Sequence, residues 1–354
     1  MQRVTTSGGS LIEPLRAVGP EVPETAAYLN GRFFDYRREL AYPETTDPRE
    51  WQNWRRRVRR ALRKTLCLDQ LGPVPTPRPQ VLETVLFPEY RREKIAYEVL
   101  PGSWVSAYLL IPAGLQGKTP AVICPHGHVA DGKANVVGET EPLGVAYAHE
   151  FARRGLVALA PDNAGMSERD PAEEQKILPS TAGCFLAWAR LNQMGIDLTG
   201  FRIFELMAGV NMLAQHPDVD AARIGCAGLS GGCWLSQVLT ALDRRIKAVI
   251  LSGYFTTFVQ TAWHGHCICH HPFGIGRYCD MPDISALIAP RPQFVESGID
   301  DSYYPHEPAY RMTQQAYRLL GAEDRLQLHR YPGGHMFNGE RSIPWMLEQL
   351  DHAG

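Results

Sequence analysis

Beyond residue 80 the apolar positions fall into short runs, alternating at first and then in continuous blocks. Runs at 81–87, 95–100 and 104–112, with Pro101-Gly102 between the last two, predict an antiparallel opening. From residue 120 the pattern changes. Blocks at 121–125, 156–161, 223–230, 247–252, 293–297 and 325–331 alternate with helical stretches near 144–154, 201–215, 232–242 and 309–320. Short apolar strands separated by helices predict a mostly parallel central sheet flanked by helices on both faces, an α/β fold. In such sheets ligands bind at the carboxyl ends of the strands, so the loops after these blocks are where chemistry is expected.

Upstream, residues 1 to about 45 are rich in turn formers and aromatics and read as an irregular arm. Asp47 then caps a helix, Pro48 suits its first position, Glu50 stands three after the cap, and Trp51, Trp54, Val58, Leu62 and Leu66 recur at helical spacing. The basic run from Arg55 to Lys64 is read as the solvent face of this amphipathic helix rather than a polyanion patch. Four prolines between Leu71 and Gln80 mark a linker. The expected organisation is therefore an arm and helix over 1–79, packed on a catalytic domain over 80–354 that carries lid-like insertions.

Composition narrows the class without naming a chemistry. The 354 residues are 44% hydrophobic and 21% charged with a net charge of −2, as in an ordinary globular enzyme. That balance supplies no field for nucleic acid or an anionic membrane, and no run reaches the roughly 18 apolar residues of a span. Neither a membrane nor a nucleic-acid partner is expected. The first residues lack the apolar core of a signal peptide, and the expected setting is cytoplasmic. Eight cysteines are spread along the chain, Cys124 and Cys226 inside strand-like blocks, which predicts reduced thiols.

Three strand ends carry candidate catalytic residues. Gly228-Leu229-Ser230-Gly231-Gly232 closes one block and opens the next helix. A nucleophilic serine on so sharp a strand-to-helix turn requires small neighbours, and the helix behind it directs amides at a reacting carbonyl. A serine hydroxyl also needs an imidazole to take its proton and a carboxylate to orient that imidazole. Asp300-Asp301 follows the block at 293–297, and Gly333-Gly334-His335 follows the block at 325–331. The order serine, acid, histidine is that of α/β-hydrolases. An oxyanion hole needs two backbone amides: Gly231 supplies one, and His128, in the Pro125-His126-Gly127-His128 loop, is assigned the other.

Cys124-Pro-His-Gly-His128, Pro161-Asp-Asn-Ala-Gly-Met-Ser167, Gly-Leu-Ser-Gly-Gly, the phrase from Met281 to Pro292 with the following Gly-Ile-Asp-Asp, and Gly-Gly-His together resemble the dienelactone hydrolase and acetyl xylan esterase-like branch of the α/β-hydrolases over about 80–350. The resemblance implies an α/β-hydrolase fold, carboxylic-ester hydrolysis without metal or organic cofactor, and Asp301 rather than Asp300 as the acid. It also implies a small ester substrate with a short acyl group such as acetyl, borne by an alcohol that includes acylated carbohydrates. Dienelactone hydrolases use a cysteine where this chain has Ser230, which points away from the dienelactone reaction. Asp162 reads as a carboxylate that fixes its loop.

Residues 264 to 271 hold His264, His266, Cys267, Cys269, His270 and His271 within an insertion. Their spacing matches no common zinc pattern, so pocket lining is expected there in preference to a metal. Two other readings stay open on the same fold: a serine peptidase or aminoacyl hydrolase, and a non-catalytic binding protein. Oligomeric state is not legible.

Overall fold

The computed structural model describes residue 28 and residues 38–43, 45, 47–170, 182–263, 266–301 and 306–353. Most of the arm expected at 1–45 lies outside the described residues, as do His264, Gly265 and residues 302–305.

Nine strands form one sheet: β1 (Gln80–Leu86), β2 (Tyr90–Leu100), β3 (Ser103–Pro112), β4 (Thr119–Ile123), β5 (Val157–Pro161), β6 (Val219–Leu229), β7 (Ile246–Ser252), β8 (Gln293–Gly298) and β9 (Leu326–Tyr331). Their spatial order is β1-β2-β3-β5-β4-β6-β7-β8-β9. The antiparallel opening spans β1 to β3 and includes the β3–β5 pair. From β5 to β9 every neighbour is parallel. After β4 the chain returns to one side to form β5, whereas β6 is laid down on the other. That reversal opens a crevice above the carboxyl ends of β4 and β6.

Ten helices are described: α1 (Pro48–Thr65), α2 (Lys133–Val137), α3 (Tyr147–Arg153), α4 (Ala182–Gln193), α5 (Leu198–Gln215), α6 (Gly231–Leu242), α7 (Phe258–Trp263), α8 (Met281–Ala286), α9 (Glu307–Leu319) and α10 (Ser342–Asp351). One apolar cluster joins α1, α5, α6 and α8 to the sheet, and a second joins α3 and α10 to it. Helix α3 starts three residues later than its pattern suggested. Gly144 adopts φ 87° and its backbone bridges Phe337, which takes it out of the helix. Conversely α5 starts earlier than residue 201, because Asp197 caps it by accepting from the Gly200 amide at 2.9 Å.

Helix α1 begins where its cap places it, with Asp47 accepting from the Arg49 amide at 2.8 Å. Trp51, Trp54, Val58 and Leu62 are buried, and the Trp54 indole donates to the Leu40 carbonyl. Its basic side divides. Arg56, Arg57, Arg60 and Lys64 are exposed, whereas Arg55 turns inward and donates to the Leu287 carbonyl at 3.0 Å. No helix among the described residues is long and apolar enough to cross a membrane.

Candidate active site

Ser230 stands between β6 and α6 with φ 55° and ψ −118°, a conformation that costs a non-glycine residue roughly 1–3 kcal/mol. It is held there from several sides. Its amide donates to the Ser252 carbonyl on β7 at 2.9 Å. A side chain at Gly228 would run into the Gly232 carbonyl, and one at Gly232 into the Pro125 carbonyl, so both glycines are set by close backbone approach. The turn therefore presses directly on the loop after β4.

That loop is fixed by a neutral polar network. The Nε2 of buried His126 accepts from the Asn163 amide at 3.0 Å, which leaves Nδ1 as the donor to the Gly127 carbonyl. Burial, opposed by Asp162, pushes the His126 imidazole down to about 4, so it is neutral near pH 7. The Asn163 amide group also donates to the His126 carbonyl, and the Tyr147 hydroxyl to the Pro125 carbonyl. Below it, Asp162 accepts from the Lys133 amide at 2.9 Å and from the Lys133 ammonium at 2.6 Å, tying α2 to the end of β5.

His335 follows β9. Its Nδ1 lies 2.7 Å from Oδ2 of Asp301, whose carboxylate is buried. Asp300 instead is exposed, its amide donating to the Gly333 carbonyl. Ser230, His335, His128 and Gly127 line one pocket with Val136, Leu143 and Tyr147. Gly231, directly after the serine, faces the rings of His128 and His270.

Sequence reasoning missed the support beneath His335. Glu296 on β8 accepts from the amides of Asn338 and Gly339 and from the Ser342 hydroxyl. Burial pushes its carboxyl above the ordinary range, against those hydrogen bonds. Tyr331 and Ser252 donate to the Met336 carbonyl from the other side. Within the strand-like block Glu296 looks like a solvent-facing position, and only its partners far along the chain reveal it as a brace. Of the cluster at 264–271, the structure places Cys267, Cys269, His266 and His270 beside His128, against the wall of the pocket.

Residues 28–351 match the Abhydrolase family. "Putative hydrolase YtaP" of Bacillus subtilis (strain 168) is 25% identical over 291 residues, covering 78% of this chain and 94% of that protein. Among solved structures, a putative acetyl xylan esterase from Bacteroides fragilis NCTC 9343 superposes with a TM-score of 0.76 at 20% identity, over 92% of this chain and 95% of that one. A glucuronoyl esterase from Solibacter usitatus gives 0.63 at 14% identity, over 90% and 97%. The sheet order, the strained serine after β6 and the match over nearly the whole chain agree: this protein belongs to the Abhydrolase family of α/β-hydrolases.

Proposed function

We propose that the protein is a serine carboxylesterase in which Ser230 is the nucleophile, His335 the general base and Asp301 the group that orients it. The observation that carries this reading is the 2.7 Å contact between His335 Nδ1 and Asp301, on a histidine that lines the same pocket as Ser230. With Nδ1 engaged, Nε2 is the nitrogen that takes the serine proton. The Ser230 oxygen attacks the ester carbonyl, and the developing oxyanion is met by the amides of Gly231 and His128. The imidazolium returns its proton to the departing alcohol. Water then attacks the acyl-enzyme, giving a proton to His335, and the carboxylic acid leaves as that proton passes back to Ser230.

A short acyl group is what the family resemblance implies, and the pocket beside Ser230 and His335 is compatible with it. The pocket holds about 50 Å³, walled by Val136, Leu143 and Tyr147. The solved relatives named as acetyl xylan and glucuronoyl esterases support a carbohydrate ester as the substrate class. Ser230→Ala is expected to lower kcat on p-nitrophenyl acetate and on acetylated xylo-oligosaccharides by about 10⁴-fold or more. Turnover close to that of the parent would remove Ser230 from the mechanism.

A further inference from the structure

Four metal-ligating side chains from three distant segments meet behind the pocket. His128 comes from the loop after β4, Cys184 from α4, and Cys267 and Cys269 from the insertion after α7. His128 Nε2 lies 3.0 Å from Cys269 Sγ and 3.7 Å from Cys184 Sγ, and the two insertion sulfurs are 3.3 Å apart. All four ligand atoms fall within 4.8 Å of one another. Tetrahedral zinc, with bonds of about 2.0–2.3 Å to nitrogen and sulfur, holds its ligand atoms at roughly 3.5–3.8 Å, so small side-chain adjustments suffice.

The charge of the surroundings points the same way. Arg202 is 1% exposed, and its guanidinium donates to the Ala164 carbonyl and, at 3.3 Å, to Cys184 Sγ. Among the described residues no carboxylate stands within ion-pair distance of it, and Asp197 acts on it only from farther off, so negative charge on the neighbouring sulfurs favours this buried cation. Three thiolates around Zn²⁺ leave one net negative charge, which Arg202 balances. The backbone carrying Cys269 is held in place as well, its carbonyl accepting from the Thr199 hydroxyl at 2.8 Å.

We propose that His128, Cys184, Cys267 and Cys269 form a zinc site that clamps the loop after β4 to α4 and to the insertion after α7. The imidazole and three soft sulfurs suit zinc rather than a hard, oxygen-seeking cation. Through His128 the metal fixes a loop that lines the pocket, while remaining outside the hydrolytic step.

The full chain, purified under reducing conditions and dialysed against zinc-free buffer, is expected to contain one zinc per chain by elemental analysis. Cys184→Ala and Cys269→Ala are expected to fall below about one-tenth of that content. Cys279→Ala, at a thiol buried in the apolar core, keeps it. Cobalt(II) added to the chelator-stripped parent protein is expected to produce a sulfur-to-cobalt charge-transfer band. This reading stays decisive if a variant fails to fold, and it needs no substrate, so it stands apart from the esterase assignment. Absence of both zinc and the cobalt band overturns the proposal. So does full metal content in both Cys184→Ala and Cys269→Ala, which would point to the other cluster, His128, His266 and His270. A parent mass two hydrogens light, marking a disulfide among these cysteines, would overturn it too.

Discussion

Asp300 and Asp301 are chemically identical neighbours at the carboxyl end of β8, and direction alone separates them. Both lie past the strand in a turn closed by the Asp301 amide donating to the Gly298 carbonyl at 3.3 Å, so the turn sets their directions. Asp301 turns its carboxylate inward to His335 Nδ1 at 2.7 Å, and Asp300 is left exposed. Asp301→Asn is accordingly expected to reduce kcat by about 10⁴-fold with the fold retained, because the imidazole loses the partner that sets its tautomer. Asp300→Asn is expected to stay within about two-fold of the parent, as exposed substitutions usually do. Equal losses, or the larger loss at Asp300, would overturn the assignment of the acid. Residues of this kind were legible to different depths. Within the candidate site, Ser230 and His335 stand out in the sequence through glycine-flanked turns, whereas Glu296 and Cys184 carry no local signal. The partners of Glu296 stand some 42 or more residues away, and Cys184 meets its neighbours only when α4 folds against the insertion.

Elements held by caps were harder to read than elements held by burial. The blocks that became β4 and β5 are continuous apolar runs and were visible in outline, whereas the six-residue helix α8 has no room for a periodic stripe. What starts α8 is a capping box between Asp280 and Asp283, reinforced by Arg38, 3.1 Å from Asp283. Burial, offset in part by Arg38, pushes the Asp283 carboxyl up to about 6 from its ordinary 3.8. Between these values the folded chain keeps a proton that the unfolded chain has released. The contribution of this group therefore favours folding at the acid end and is lost as pH rises through about 6. Asp283→Asn holds the neutral form at every pH. Relative to that variant, the parent is expected to lose up to about 3 kcal/mol between about pH 4 and pH 7. Urea midpoints of both proteins across that range provide the measurement, and parallel curves would contradict it.

At the scale of the molecule, the proline-rich stretch at 71–80 suggested a boundary, but prolines report a stiff, non-helical segment and not whether its two flanks fold apart. The structure shows that stretch pinned to α5, where the Asn211 side chain donates to the carbonyls of Val74 and Pro75. It also shows Trp51, Trp54, Val58, Leu62 and Leu66 inside the same apolar cluster as the sheet. An amphipathic stripe looks alike in sequence whether it covers a neighbouring domain loosely or completes a core, so packing had to decide. Burying each of these side chains contributes about 1.5–3 kcal/mol, together on the order of 10 kcal/mol. Net stabilities of whole domains are about 5–15 kcal/mol. A chain beginning at residue 67 is therefore expected to be insoluble or to melt without a cooperative transition, whereas one beginning at residue 38 should melt within a few degrees of the full chain, as roughly expected when little of the core is removed. Differential scanning calorimetry of the two truncations separates the cases. A cooperative transition and retained ester hydrolysis in the shorter chain would show that 67–354 folds without α1, and that the helix covers a core already complete.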